Sequence, residues 1–490
     1  MPINTTHPQY DALAPRWQRM TDVCNGEDAI KAAGERYLPM PNKDIRTVEA
    51  LARYDLYKDR AVFVEVTKDT LDKYTGQAFK DDPVLNVDKQ LDYMKRDANG
   101  AGLSIYQVAQ KCFEAQLERG RFGLFVDYPA TNDEVSQADV ERNALRPTIT
   151  YYPPESIINW RTTVIGGQTV TNMIVLHETV YETDPEDIFS SKQIEQWRYL
   201  GLDETGYFVE VRRKATTGQQ GDNDGFVIHQ KRVYPTKSGN TKFDRIPFII
   251  GGSDSNDWCE QNIPLESLAK MNLAHYRNSA DYEQSAFICG QVQPWMSGVS
   301  EQRMEALEKK QIRIGSGALI MLEENGKFGF AQAEPNGLAG EAMEKKYLIM
   351  QALGAKLAEA QTSGSSSTKT ATQASHEAGV QNSTASMCVS NLNEIMHDAI
   401  LLCYEYLGIN YTAKDGEYLF KAKQDFVSAT ADNNIMTAIG SWTSSGLAPK
   451  SVAYNYMRKY NLIDAELKDD EIDDLIDSEL PSAVANAFEE

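Results

Sequence analysis

The period of the hydrophobic pattern changes twice along this chain of 490 residues, which limits the folds it can adopt. Up to about residue 121, apolar residues recur at helical spacing, and one helix is framed by Ser104 as its N-cap and Gly120 as its end. From about 122 to 252, short runs rich in Val, Ile, Thr and aromatic residues predict antiparallel strands. Helical patterns return from 263. This succession predicts an α+β fold.

The individual elements can be placed on this pattern. The first helical segment carries apolar residues near helical spacing and stops at Pro83: Val48, Leu51, Tyr54, Val62, Val66 and Leu71. The strand-like runs begin at Phe122, Arg146, Thr171, Ile194, Gly206, Gly225 and Arg245. Near the end, helices are predicted over 433–446, from Pro449, and up to Pro481.

Two long helical patterns in the second half differ in character. The pattern that starts near Pro264 and ends at Gly290 has no single apolar stripe, and polar residues such as Asn272 and Ser279 interrupt it. Such a helix is expected to pack on several neighbours. The later pattern steps by three and four and predicts one core-facing stripe, made of Cys388, Leu392, Ile395, Ala399, Leu402 and Tyr406.

A small mixed unit lies between the first of these helices and another helical pattern from 338. Its sequence predicts a strand around 291–298, two strands within 316–337 joined by a hairpin turn at Asn325-Gly326, and a short helix over 300–311. A unit of about 45 residues is small for a core of its own, so we expect it to need partners, including copies of itself.

Charge and motifs argue against several function classes. The net charge is −22, which disfavours generic binding to DNA phosphates, and residues 463–490 alone carry eleven Asp or Glu against one Lys. The chain has no phosphate-binding GxxxxGK[ST] loop and no GxSxG elbow, and its six histidines never pair at ligand spacing. We therefore expect no catalytic residues, no metal and no cofactor, and a chain that is not an enzyme.

Cysteine usage and hydropathy give expectations about the compartment. The six cysteines are scattered without a CxxC pair, so reduced thiols and folding in a cytoplasm are expected. No run of about 18 apolar residues and no secretory signal is visible, so no membrane partner is expected.

The succession of parts resembles the portal proteins of tailed bacteriophages. The segments "RYLPMPN", "DANGAGLSIYQVAQKCFEAQLERGRFGLFVDYP" and "MTAIGSWTSSGLAPKSVAYNYMRKYNLI" support this over nearly the whole chain. The resemblance implies a ring, usually of twelve copies, at one vertex of the capsid, through which double-stranded DNA is packaged and ejected. It also implies location in the virion, and in the host cytoplasm during assembly.

The resemblance further implies a division of the chain into named parts. These are a wing (1–262, helical and then β-rich from about 122), a first stem helix (263–289), a clip (290–338), a second stem helix (339–359), a tunnel loop (360–372), a long wing helix with the following strand (373–424), and a helical, acidic crown (425–490).

The tunnel loop has the composition expected of a surface past which a duplex slides. Hydroxyl groups offer weak, exchangeable hydrogen bonds, glycine gives backbone freedom, and a single lysine supplies one positive charge per copy. The residues expected to line the DNA channel are Ser363, Gly364, Ser365, Ser366, Ser367, Thr368 and Lys369. In the alternative interpretation, this segment has no role in DNA passage and is a linker between two helices.

The clip carries a small basic cluster of three residues, Lys309, Lys310 and Arg313. In the interpretation without a binding role, these residues lie on a helix face in contact with water. The resemblance makes these residues candidates for docking DNA, the large subunit of the terminase and the head-completion or adaptor proteins. It names the major capsid or scaffolding protein as a further partner.

Two other functions remain open from the sequence alone. One is another phage head–tail ring, although such proteins are usually much shorter. The other is a hydrolase or nuclease with a site that follows no known motif, although no spacing among the 71 carboxylates selects a pair.

Overall fold

The structure is a computed structural model that divides into two compact units, Met1–Phe426 and Val427–Glu490. It describes residues 2–129, 145–184, 187–215, 224–237, 241–301, 325–333, 337–355, 384–409, 411, 418–423, 433–459, 463 and 467–479. The fold of the described residues is mixed α+β, which confirms the predicted class.

The described helices are α1 (Pro8–Cys24), α2 (Glu27–Ala33), α3 (Val48–Arg60), α4 (Val66–Ala78), α5 (Ile105–Arg119), α6 (Glu266–Cys289), α7 (Leu338–Ala355), α8 (Thr384–Leu407), α9 (Asn433–Ser444), α10 (Lys450–Lys459) and α11 (Asp469–Glu479). Short 3₁₀ turns lie at Gly34–Arg36, Lys89–Lys95 and Pro154–Ser156.

The described strands are β1 (Val84–Leu85), β2 (Arg121–Asp127), β3 (Thr148–Tyr152), β4 (Ile157–Ile165), β5 (Gln168–Asp184), β6 (Asp187–Asp203), β7 (Gly206–Lys214), β8 (Phe226–Val233), β9 (Thr236–Lys237), β10 (Thr241–Lys242), β11 (Phe248–Gly252), β12 (Gln293–Ser297), β13 (Lys327–Ala331) and β14 (Phe420–Lys421). All pairings are antiparallel, in sheets of order β11-β2-β3, β4-β5-β6-β7-β8, β12-β13, β9-β10 and β1-β14.

Helices α5 and α8 form the centre of the first unit's core. The predicted stripe of α8 is confirmed, since all six of its residues are buried. Helix α5 begins at a capping box, in which Ser104 accepts from the Gln107 amide and the Gln107 side chain accepts from the Ser104 amide. It ends at Gly120, whose φ of 78° is the left-handed conformation that favours glycine. The two helices pack against each other and on the sheet β11-β2-β3.

The five-stranded sheet is a meander of consecutive strands. The strand-like runs predicted from Thr171, Ile194, Gly206 and Gly225 are confirmed as β5 to β8, whereas β4 was not predicted. Strands β5 and β6 extend beyond their other neighbours, because β4 pairs with β5 only up to Leu176 and β7 pairs with β6 only from Gln196. The end of this hairpin is therefore a two-stranded ribbon, whose Phe189 side chain is 93% exposed.

The first predicted helical segment forms two helices, α3 and α4. Tyr54 and Leu71 are buried as a core-facing pattern requires. Val48 and Leu51 are exposed, because α3 turns Tyr54 and Tyr57 toward the core instead. Val62, which follows the end of α3, is exposed as well.

Part of the small unit predicted between 290 and 338 is described. Strand β12 lies where the first strand was predicted and pairs with β13, with Trp295 opposite Gly329. The predicted helix over 300–311 and the strand before Asn325 lie outside the described residues, apart from Ser300 and Glu301.

The second unit holds the helices predicted at the end of the chain. Helix α9 packs on α10, and the closing Gly446 has a φ of 73°. The Tyr454 hydroxyl donates to the Asp473 carboxylate at 2.6 Å, and Lys450 pairs with the same carboxylate at 2.9 Å, so acidic α11 is tied to α10.

The packing of β11 against α8 leads to a stability prediction. A Cβ atom on Gly251 would lie 2.4 Å from Cζ of Phe122 and 2.8 Å from Cδ1 of Ile395. Gly251→Ala should therefore overpack the core and lower the free energy of unfolding by about 1–3 kcal/mol, measured by urea denaturation.

Gly76 in α4 provides the matched control, since a Cβ atom there meets nothing within 4 Å. Gly76→Ala should raise the stability by about 0.5–1 kcal/mol, through helix propensity alone. Equal effects of the two substitutions would contradict the described packing of β11.

Candidate functional site: the helix pair α6–α7 and its apolar outer faces

Helix α6 is anchored in the core by the polar side chains of Asn272 and Ser279. Asn272 accepts from the amide and the hydroxyl of Thr67 at 3.2 and 3.0 Å and donates to the Val64 carbonyl at 2.7 Å. Ser279 accepts from the Val62 amide at 3.1 Å and donates to the Val62 carbonyl at 2.8 Å. The polar residues that interrupt the helical pattern thus hold α6 to the segment between α3 and α4.

The N-terminal end of α6 is fixed by an ion pair with α1. Arg16 donates two hydrogen bonds to the Glu266 carboxylate, from Nε at 3.1 Å and from Nη2 at 2.9 Å. Burial alone would raise the pKa of Glu266, but the bonds from Arg16 and Lys270 outweigh it and lower that pKa. The first turn of α6 therefore carries a bound carboxylate that stays ionised.

Helix α6 also contacts α3, α4 and α7, which confirms the prediction that it packs on several neighbours. The Tyr57 hydroxyl donates to Asp281 at 2.7 Å, and Lys346 of α7 donates to the Ala274 carbonyl at 3.2 Å. Tyr282 lies beside Gly340 near the start of α7, so the two helices run antiparallel. Met350, in the later part of α7, is fully buried.

Beyond these anchors, the helix pair and the strands that join it expose large apolar side chains. On α6 and the strands these are Tyr282, Phe287, Ile288, Val292, Trp295 and Phe330, and on α7 they are Leu338, Tyr347, Leu348 and Ile349. All ten are at least 40% exposed. Soluble monomers rarely present so many large apolar groups together, and such patches mark contacts with other molecules.

The arrangement of α7 shows why its exposure is unusual. Met350 and Leu353 turn toward the core, whereas Leu348 lies on the opposite side and is 58% exposed. Leu338 and Ile349 lie on the flank between these two sides, at exposures of 71 and 44%. A helix that is apolar on both sides is normally buried on both sides. The outer side of α7 is therefore not covered by the residues of the same chain that the structure describes.

A cleft of about 750 Å³ lies between the N-terminal residues 2–8 and strands β4 to β7. The described residues that line it include His7, Arg161 and Arg212 but no carboxylate. His7 stacks on Trp160 with ring centroids 4.0 Å apart, and its amide donates to the Ile158 carbonyl. This cleft provides no pair of carboxylates for acid–base hydrolysis.

Within the described part of the chain, no group of three or more His, Cys, Asp or Glu is placed to hold a metal ion. No described helix combines the length and the hydropathy that crossing a bilayer requires.

The residues predicted for the DNA channel, Ser363 to Lys369, lie outside the described residues, as do Lys309, Lys310 and Arg313 of the clip. Their roles stay predictions. Sequence reasoning missed the outer face of α7. The available signal was the lack of a single apolar stripe over Leu338–Ala355, because a helix with two apolar faces has no single hydrophobic side.

Comparisons with known proteins give a partial picture. A family model described as a domain of unknown function (DUF4055) matches residues 264–407, which run from the start of α6 to the end of α8. No curated protein matches the sequence.

Solved structures similar to the chain come from gene transfer agent (GTA) particles. One is a chain of the virion of the native particle, with 11% identity, a TM-score of 0.38, and coverage of 86% of this chain and 94% of the other. A chain of the neck of the empty particle, computed with C6 symmetry, has 10% identity, a TM-score of 0.39 and coverage of 80 and 90%. A chain of the neck of the native particle, computed with C12 symmetry, has 12% identity, a TM-score of 0.34 and coverage of 78 and 86%. The structural neighbours are thus virion and neck components.

The contact between α6 and α7 leads to a prediction about pH. His275 is buried, its Nδ1 has no partner among the described residues, and burial together with the charge of Lys346 lowers its pKa below 6.5. The unfolded chain therefore takes up a proton near pH 6.5 that the folded chain resists, so stability should fall as the pH drops from 7 to 5.

His275→Gln removes this proton uptake. We expect the loss of melting temperature between pH 7 and pH 5 to be smaller in His275→Gln than in the unchanged protein, measured by thermal denaturation at both values. Identical losses would show that His275 does not titrate between these limits.

Proposed function

We propose that this chain is the portal protein of a tailed bacteriophage. Copies of it, twelve in the usual arrangement, would form a closed ring at one vertex of the capsid, with an axial channel for DNA packaging and ejection. The chain would act without catalysis, in the virion and, during assembly, in the host cytoplasm. The resemblance of its succession of segments to portal proteins first suggests this function.

The observation that carries the proposal is the second, exposed apolar face of α7. Moving a Leu or Ile side chain fully out of water is worth about 1.5–3 kcal/mol, so the exposed side chains Leu338, Leu348 and Ile349 favour association strongly. An interface repeated between identical copies covers such a face in every subunit. In a closed ring, both interfaces of every subunit are occupied by neighbouring subunits.

The strands β12 and β13 support the same conclusion. Among the described residues this sheet consists of β12 and β13, and it carries Trp295 and Phe330 at exposures of 43 and 54%. Pairing with neighbouring copies would complete the sheet.

The named parts follow from this assignment. Helices α6 and α7 correspond to the stem, β12 and β13 belong to the clip, and the crown includes α9 to α11. Residues 363–369 would line the DNA channel. Lys309, Lys310 and Arg313 would face the large terminase subunit, then the head-completion or adaptor proteins. The major capsid or scaffolding protein would be a further partner of the ring.

Electron microscopy of the purified protein tests the proposal. We expect rings with an axial opening wide enough for duplex DNA, at micromolar concentration and moderate salt. A protein that stays a single copy at every concentration and salt level would refute the proposed function.

The channel residues have their own test. Deleting Ser363 to Thr368 should leave the rings intact but reduce the amount of packaged or retained DNA in particles assembled with the variant. The reason is that the deletion removes the hydroxyl groups that are proposed to form weak, exchangeable hydrogen bonds with the DNA. DNA content per particle and ring formation are measured on the same preparation. If the deletion abolishes ring formation instead, the segment has a structural role and not the proposed one.

A further inference from the structure

Asparagine is followed by glycine at four positions of the chain, which are Asn25, Asn99, Asn325 and Asn336. An Asn-Gly pair is chemically reactive, because glycine has no Cβ atom to keep its amide nitrogen away from the asparagine side chain. The reaction requires this nitrogen to reach Cγ of the asparagine, so the local backbone and hydrogen bonds control its rate. Asn336 lies outside the described residues, and the other three pairs can be compared.

The pair at the end of helix α1 is held in an unreactive conformation. Asn25 has a ψ of −5°, at which the Gly26 nitrogen eclipses the amide nitrogen of Asn25 and lies away from its Cβ atom. The Gly26 amide also donates to the Val23 carbonyl at 3.4 Å. Gly26 is buried, and a Cβ atom on it would lie 2.2 Å from the Glu65 carboxylate, so this backbone is closely packed.

The pair before helix α5 is held by the asparagine side chain itself. Oδ1 of Asn99 accepts from the amides of Ala101 and Leu103 at 2.9 and 3.0 Å. The Ala98 amide donates to the Leu103 carbonyl at 2.6 Å, which closes the same loop. These bonds fix the carboxamide, so attack on its Cγ atom by the Gly100 nitrogen requires them to open first.

The pair in the turn before β13 has no restraint of either kind from the described residues. Asn325 is exposed, and neither its side chain nor the Gly326 amide forms a hydrogen bond with another described residue. The turn backbone packs on Gly298, where a Cβ atom would lie 2.9 Å from the Asn325 carbonyl oxygen. Both reacting groups of this pair are therefore available to each other.

We propose that Asn325 is a site of spontaneous deamidation in the folded protein. The Gly326 amide nitrogen attacks Cγ of Asn325, so that an N–Cγ bond forms and the Cγ–Nδ2 bond breaks. Nδ2 leaves as ammonia with the proton of the Gly326 amide. Water then opens the cyclic imide at one of its two carbonyl groups, which gives aspartate or isoaspartate. The proposal is independent of the proposed function.

Either product changes the end of the β12–β13 pair. Both add a carboxylate, and in isoaspartate the main chain continues through Cβ and Cγ, which inserts one more atom before Gly326. The turn packs directly on Gly298, and Ser297 pairs with Lys327 beside it. We therefore expect the modified turn to loosen this end of the strand pair.

Peptide mapping of the stored protein tests the proposal. Trypsin cleaves after Lys and Arg and places the three described pairs in separate peptides, 20–31, 97–111 and 314–327. The full-length protein is incubated at mildly alkaline pH, and the mass gain from replacing NH2 by OH is followed in each peptide. The peptide 314–327 should gain this mass about tenfold faster than the other two, a ratio that corresponds to opening one or two hydrogen bonds.

Two controls separate the fold from the local sequence. In concentrated urea the three rates should approach one another, because the restraints on Asn25 and Asn99 are lost. Asn325→Gln should abolish the mass gain in its own peptide and leave the other two unchanged, because glutamine would have to form a larger ring. Equal rates in the folded protein, or an equally large rate difference in urea, would overturn the proposal.

Hydrogen–deuterium exchange measures the structural consequence. Amides of residues 293–298 and 327–331 should exchange several-fold faster in stored protein than in fresh protein, and storage of Asn325→Gln should not change them. Deamidation without faster exchange would show that the modified turn does not loosen the strands. Neither measurement requires a ring, so failure of the proposed function would leave both results unchanged.

Discussion

The buried polar contacts of α6 with the segment between α3 and α4 set the form of the whole helix pair. Asn272 and Ser279 bond backbone groups of Val62, Val64 and Thr67. Leaving such a buried amide or hydroxyl without a partner costs about 1–3 kcal/mol. These bonds hold the first half of α6 in place. The second half then leaves the core with Phe287 and Ile288 exposed, and α7 returns along it with its outer side uncovered.

Electrostatics opposes the association that these faces favour. Each copy carries a net charge of −22, so copies repel one another at long range, and at physiological ionic strength this repulsion is screened beyond about 8 Å. Contacts between copies must therefore be short-ranged and apolar, as the exposed side chains of α7, β12 and β13 are. The repulsion also disfavours disordered aggregation, in which the apolar faces would be only partly covered.

The parts of the fold that could be predicted are those encoded locally. The α8 stripe and strands β5 to β8 have one clear period each, and the structure confirms them. Strand β4 was missed because Asn159 and Arg161 break its apolar pattern directly after a Pro-Pro turn. The partners of α6 could not be predicted, because Thr67 lies 205 residues from Asn272. The outer face of α7 could not be predicted either, because α7 has two apolar faces and the sequence does not show which of them packs on the core.

The central claim is that the outer apolar faces of the α6–α7 pair are covered by other copies of the chain. Hydroxyl-radical footprinting of assembled particles and of dissociated single copies tests it most directly, with Trp295, Leu348 and Ile349 as reporters. The account predicts that oxidation of these side chains falls several-fold on assembly, while that of Phe189 on the β5–β6 ribbon serves as a reference for dose. Equal oxidation of the three reporters in both states would contradict it.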